Sequence, residues 1–170
     1  MTYVFGGKGP AKLSVPKLPG QMKVRRRRLT KTPEEMRIKA EKEEENLPET
    51  VKGKSVGSTE EARVAVALPM LGLDFQYQVS IAGGRRFPGG LIIDFVVETT
   101  PLPTPLQVQG RYWHGVGQEG GRAQDVLELA KIKRIMGHSW ADPVEVWDNE
   151  LTSVAQALMT VASALRLGGS

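Results

Sequence analysis

The chain has no cysteine in its 170 residues. Disulfides, cysteine-ligated zinc and thiol nucleophiles are therefore excluded. It has two histidines, His114 and His138, so a Ser–His–Asp hydrolase has few candidates for its base. No Gly-x-x-x-x-Gly-Lys-Ser/Thr string occurs, which removes a P-loop nucleotide site. The glycine-rich stretch 83–90 does not lie between a strand and a helix, so it is no dinucleotide fingerprint. No apolar run nears the ~20 residues of a membrane span, and the N-terminus carries no apolar signal-peptide core. The expectation is a cytoplasmic protein, not secreted and without a membrane partner, or a virion-associated one if a phage encodes it.

The first 31 residues also lack any acid, yet they hold nine Lys/Arg, with Arg25, Arg26, Arg27 and Arg28 as their focus. Residues 56–170 hold nine basic and twelve acidic side chains. The net charge of +4 and the pI near 9.4 therefore come from the N-terminal segment. That segment is rich in Gly, Pro and Lys and has too little apolar surface to offset its ordering entropy. It reads as an extended arm that seeks polyanions or is ordered by a larger assembly.

Hydrophobic residues make up 40% of the chain, enough for one domain with a real core. Thr32-Pro33-Glu34-Glu35 signals a helix start with a capping box. That helix should run to about residue 45 with only Met36 and Ile38 as large apolar residues, and residues 47–57 should follow as a linker. Ser58-Thr59-Glu60-Glu61 is a second capping-box signal, before a helix over about 59–71 that Gly72 ends. Alternation then predicts strands over Phe75–Ile81, Leu91–Val97, 106–109 and Pro143–Trp147. Helices are expected over 122–136 and 152–167, the latter capped by Thr152 or Ser153. A late strand reached through a helix requires at least one parallel pair. The expected fold is α/β, a small mixed central sheet flanked by helices over residues 58–170. An extended basic arm over residues 1–57, with a short helix near 33–45, would precede it.

The chemistry concentrates on Leu91–Val97 and the strand after it. Asp94 is an isolated acid in an apolar strand, and burying an unpaired carboxylate is costly. Its remedy is a metal, a basic partner among Arg85, Arg86 and Arg111, or hydrogen bonds. As a hard oxygen ligand it suits Mg2+. Glu61 either closes its capping box with Ser58 or joins an acidic site. His114 either packs beside Tyr112 and Trp113 or acts as a general acid or base.

Phe87-Pro88-Gly89, then Asp94-Phe95-Val96-Val97, then Gln109-Gly110-Arg111-Tyr112-Trp113-His114 resembles the very-short-patch-repair mismatch endonucleases of the PD-(D/E)XK nuclease superfamily. Val146-Trp147-Asp148-Asn149-Glu150-Leu151 is similar to that family's late Val-Trp strand end. The resemblance covers roughly residues 58–160. It implies a restriction-endonuclease-like fold and a Mg2+-dependent DNA endonuclease or nicking enzyme. Asp94, His114, Glu61 and Gln109 would be the catalytic set. Asp94, Gln107 and the Val108 backbone carbonyl would hold the metal. DNA would lie against Arg25–Arg28, Arg85, Arg86 and Arg111. The chain departs from the pattern in three places. Gln109 stands where the family has a His, Gln107 where the superfamily has an acid, and the repair enzymes' zinc cysteines are absent. The alternative is a nuclease-fold protein without cleavage activity, a structural or nucleic-acid-binding component of an assembly such as a phage virion.

Overall fold

The computed structural model describes residues 32–84, 90–110, 127 and 130–167. Its centre is a four-stranded mixed sheet in the order β3-β4-β5-β6. The strands are β3 (Phe75–Ile81), β4 (Leu91–Val97), β5 (Thr104–Gln109) and β6 (Val144–Trp147). β3 to β5 run antiparallel as neighbours, and β5 and β6 pair in parallel. The parallel pair is the one that a late strand reached through a helix requires. Three helices, α1 (Pro33–Glu44), α2 (Thr59–Met70) and α4 (Val154–Ala164), pack around one core with the sheet. A fourth, α3, has helical described residues at 127 and 130–136.

Two apolar clusters divide the sheet. The larger contains Phe75, Tyr77, Phe95, Val97, Leu106 and Val146, packed with α2 and α4. The smaller joins Ile81, Leu91, Ile93 and Val96 to Ile132 of α3. On β4, Leu91 and Ile93 belong to the smaller cluster and Phe95 and Val97 to the larger, with Asp94 between them, while Val96 packs in the smaller. β3 changes cluster opposite Asp94, at Gln78, a non-glycine residue with φ +48. Lys54 holds that left-handed step, donating from Nζ to the Tyr77 and Gln78 carbonyls at 2.8 Å each.

Lys54 belongs to a hairpin, β1 (Thr50–Val51) and β2 (Lys54–Ser55). The hairpin lies within 47–57, where the sequence predicts a linker. Its two-residue turn places Lys52 (φ 51) and Gly53 (φ 78) in the left-handed region, as a tight hairpin turn requires. The strands are too short to show alternation, so the pattern in the sequence is silent there. Val51 is buried in the larger cluster, and the hairpin blunts the β3 edge.

α1 also differs from expectation. Its few large apolar residues suggest little burial, yet Ala40 is fully buried and Met36 packs on the core. Its small side chain allows close approach to α4. The packed body therefore begins before residue 58. α2 ends in a Schellman turn: Leu73 N–H donates to the Leu68 carbonyl and Gly72 N–H to that of Pro69, with Gly72 at φ 73. β5 starts at Thr104, two residues earlier than the sequence suggests. Pro105 argues against a central strand, but it pairs with Val96 before β6 joins at Leu106. α4 is shorter than 152–167, capped by Ser153, whose hydroxyl accepts the Gln156 N–H at 3.1 Å.

One charged network ties the helices together. Glu44 Oε1 accepts from Arg63 Nε at 2.9 Å and Nη2 at 2.8 Å, and Glu44 Oε2 accepts the Val154 N–H at 2.6 Å. Arg63 Nη1 donates to the Leu151 carbonyl at 2.9 Å. Burial opposes ionisation of Glu44, but the Arg63 hydrogen bonds, the Val154 N–H and the Arg63 charge outweigh it and hold the carboxyl below its ordinary value. A carboxyl lowered on folding adds stability above its unfolded pKa of about 4.3, and loses it as pH falls through the folded value. Glu44→Gln should therefore cost about 1–2 kcal/mol at pH 7, allowing for partial solvent screening. Chemical denaturation should show that difference shrinking below about pH 4; an equal difference at pH 3 and pH 7 contradicts the ionic account.

Candidate functional site

The β4–β5 ladder runs through Val97↔Thr104, Val96↔Pro105 and Phe95↔Leu106 and then stops. Beyond that point, side chains replace backbone pairing. Gln107 Oε1 accepts the Asp94 N–H at 2.8 Å, and Gln107 Nε2 donates to the Ile92 carbonyl at 3.3 Å. In return Asp94 Oδ2 accepts the Val108 N–H at 2.9 Å. The two central strands thus part at Asp94, and Asp94 and Gln107 bridge them. Gln107 is 7% exposed. Both ends of its amide are satisfied, as a buried amide requires. Of the remedies open to Asp94, hydrogen bonding is present.

The polar row continues across β5 and β6. Gln107 is the register partner of Glu145, and residues in register share a face of the sheet. Gln109, two residues on and on the same face, donates from Nε2 to Glu145 Oε1 at 3.0 Å. Asp94, Gln107, Gln109 and Glu145 therefore form one lateral line over three strands. Sequence reasoning misses Glu145. The alternation Val144-Glu145-Val146 marks it as pointing away from the core, but only the β5–β6 register says which strand position it meets.

Glu61 lies elsewhere. Ser58 Oγ accepts the Glu61 N–H at 3.1 Å, so the cap is present. The Glu61 carboxylate, however, does not return to Ser58. It accepts a short hydrogen bond from the Tyr77 hydroxyl, which also accepts the Gly57 N–H at 3.3 Å. Burial, the Glu61 hydrogen bond and the Glu61 charge push the Tyr77 phenol far above its usual range, so it remains a donor at any physiological pH. A Cβ on Gly57 would come within 2.7 Å of Glu61 Oε1, so the glycine leaves room for the carboxylate. No hydrogen bond among the described residues joins Glu61 to Asp94 or Gln107. No family model, curated protein or solved structure matches the chain.

His114, Arg111, Arg85, Arg86 and Arg25–Arg28 lie outside the described residues. Sequence reasoning also passes over one motif, Gly53-Lys54-Ser55-Val56-Gly57, which matches a nucleophile elbow in letters. The structure places Ser55 in the two-stranded hairpin. An elbow sets the serine itself on a sharp strand-to-helix turn, whereas Ser55 is a paired strand residue and α2 begins only at Thr59.

Among the described residues, no three Asp, Glu or His side chains cluster to hold a metal. The donors at the β4–β5 split are one carboxylate, one amide oxygen and the backbone carbonyls beside them. Mg2+ takes hard oxygens, often only one or two carboxylates with water completing its shell. The donor set fits such an ion, with Gln107 contributing a neutral oxygen where an acid would add charge. Gln107→Glu should show this directly. Without divalent cation the variant sets a second carboxylate beside Asp94 and loses the donation to Ile92, a cost of about 2 kcal/mol. Its Tm should fall and then recover on adding Mg2+. A Tm that is unchanged by the substitution, or indifferent to Mg2+ in the variant, contradicts this description.

Proposed function

We propose that the chain is a restriction-endonuclease-like domain that cleaves or nicks DNA by metal-dependent phosphodiester hydrolysis. The order helix, three antiparallel strands, helix and parallel fourth strand supports that reading of the fold. One observation carries the functional reading: an acid on a central strand lies where that strand parts from its neighbour, bonded to the residues that resemble the family's second ligand position. Asp94, Gln107 and the Val108 carbonyl would hold Mg2+. That ion, when bound, supplies Lewis acidity toward a phosphodiester. Asp94 provides the anionic anchor. Glu145 orients the Gln109 amide at the edge of the same row. Glu61 acts through Tyr77, setting the start of α2 against β3. His114 is the remaining general acid or base in this reading.

A second reading, a nucleic-acid-binding or structural component without cleavage activity, draws on a different observation. The Gln107 amide is spent on backbone groups of β4, which suits a strand bridge as well as a ligand. In either case the basic arm supplies salt-dependent, sequence-independent affinity for DNA phosphates.

Cleavage of plasmid and mismatched duplex DNA in Mg2+ or Mn2+ separates the two. The wild type should cleave, and Asp94→Ala should lose about 100-fold or more, ~2.7 kcal/mol of transition-state stabilisation. No cleavage by the wild type with either metal overturns the enzyme reading. In the same assay series, removal of residues 1–31 should flatten the salt dependence of DNA binding; an unchanged slope removes the arm from the interface.

A further inference from the structure

α3 is set on the sheet by Ile132, which is 1% exposed in the smaller cluster, with Met136 packed beside it. This fixes which way the helix faces. Lys131 and Arg134 are exposed three residues apart, the spacing of neighbours on one helix face; His138 lies past the helix end, in the 3-10 turn that begins at Gly137 (φ 55). The next cation, Lys133, is neutralised by Asp142 at 2.8 Å. Among the described residues neither Lys131 nor Arg134 forms an ion pair. The cluster that seats α3 includes Ile93, the residue before Asp94 on β4, and Val96, two residues after it. The free cations therefore stand on the element packed against the strand that carries the acid.

We propose that Lys131 and Arg134 form a phosphate-contacting surface that lays a DNA backbone along α3, the helix packed against the strand that carries Asp94. The inference rests on the reading of the chain as a DNA-acting domain and adds to it a contact surface on the body, separate from the N-terminal arm. Charge complementarity selects a polyanion. The two Cα atoms are ~4.5 Å apart along the helix axis, and phosphates rise ~3.4 Å apart along one DNA strand. Two long side chains can then reach neighbouring phosphates. Cations in a last turn also complement the helix dipole, which accounts for a small stabilisation but not for two cations without an acidic partner among the described residues on the helix that packs against β4.

The test measures DNA binding by the full chain across a salt series, with a chelator present so that cleavage plays no part. Two duplexes of unrelated sequence are compared. Replacing both residues (Lys131→Ala with Arg134→Ala) should lower the log–log salt slope by about 2 on both duplexes, because each phosphate contact contributes about 0.9. Lys39→Ala with Lys42→Ala on α1 removes equal charge away from this surface and should leave the slope within about 0.5 of the wild type, on the same per-contact scale. Thermal melting should be unchanged in the α3 variant, whose two side chains are exposed, and should change little in the α1 variant, which loses only the surface pair of Lys39 with Glu43. An unaltered slope in the α3 variant overturns the proposal, as does an equal fall in the α1 variant. So does a loss confined to anionic lipid vesicles, which would assign the pair to a membrane surface. If the slope falls as expected but the wild type never cleaves DNA with metal, the enzyme reading fails and the contact surface stands.

Discussion

The structure turns on one exchange of hydrogen bonds, Gln107 Oε1 accepting from Asp94 N–H and Asp94 Oδ2 accepting from Val108 N–H. A sheet whose central strands part midway would leave backbone donors and acceptors without partners in its interior, and such groups are costly. Here a carboxylate and an amide take the place of ladder bonds. Divergence and polar chemistry are therefore the same feature: the acid is tolerated because the strands part, and the strands can part because the acid and amide satisfy them.

The surrounding fold serves that exchange. β3 steps into the left-handed region at Gln78, opposite Asp94, and Lys54 of the small hairpin pins the two carbonyls around the step. At the same level Tyr77 and Phe95 pack with α2 and α4, whereas Ile81 and Ile93 pack with α3. Glu44 and Arg63 hold the helical layer together, and Tyr77 with Glu61 locks α2 to β3. No described helix is long and apolar enough to cross a membrane.

Much of the body is legible in the sequence because its signals are local. The Thr32 and Ser58 caps, the Gly72 stop and the alternation of Phe75–Ile81 each predict an element that the structure contains. The β1–β2 hairpin is invisible because two-residue strands have no period, and its strongest link to the body is one lysine reaching two carbonyls. Pro105 hides the true start of β5, since a proline counts against a strand unless the timing of the β6 pairing is known. At the site, Asp94 is found from sequence because an acid stands out in an apolar strand, and Gln107 because it occupies a position that the family resemblance marks. Glu145 is not, because its relevance depends on register, which a sequence does not contain. Glu61 is placed with Asp94 by family pattern, whereas its bond is to Tyr77, a contact between elements that only packing reveals.

The proposal that most depends on the β4–β5 split is that its bridging groups can hold a cation. It is tested most directly by titrating Mg2+ while following the backbone amide resonances of Asp94 and Val108 and the side-chain amide of Gln107. The account predicts saturable shifts concentrated on these three groups in the wild type and absent in Asp94→Ala. Shifts scattered over the surface acids, with these three unmoved, would contradict it.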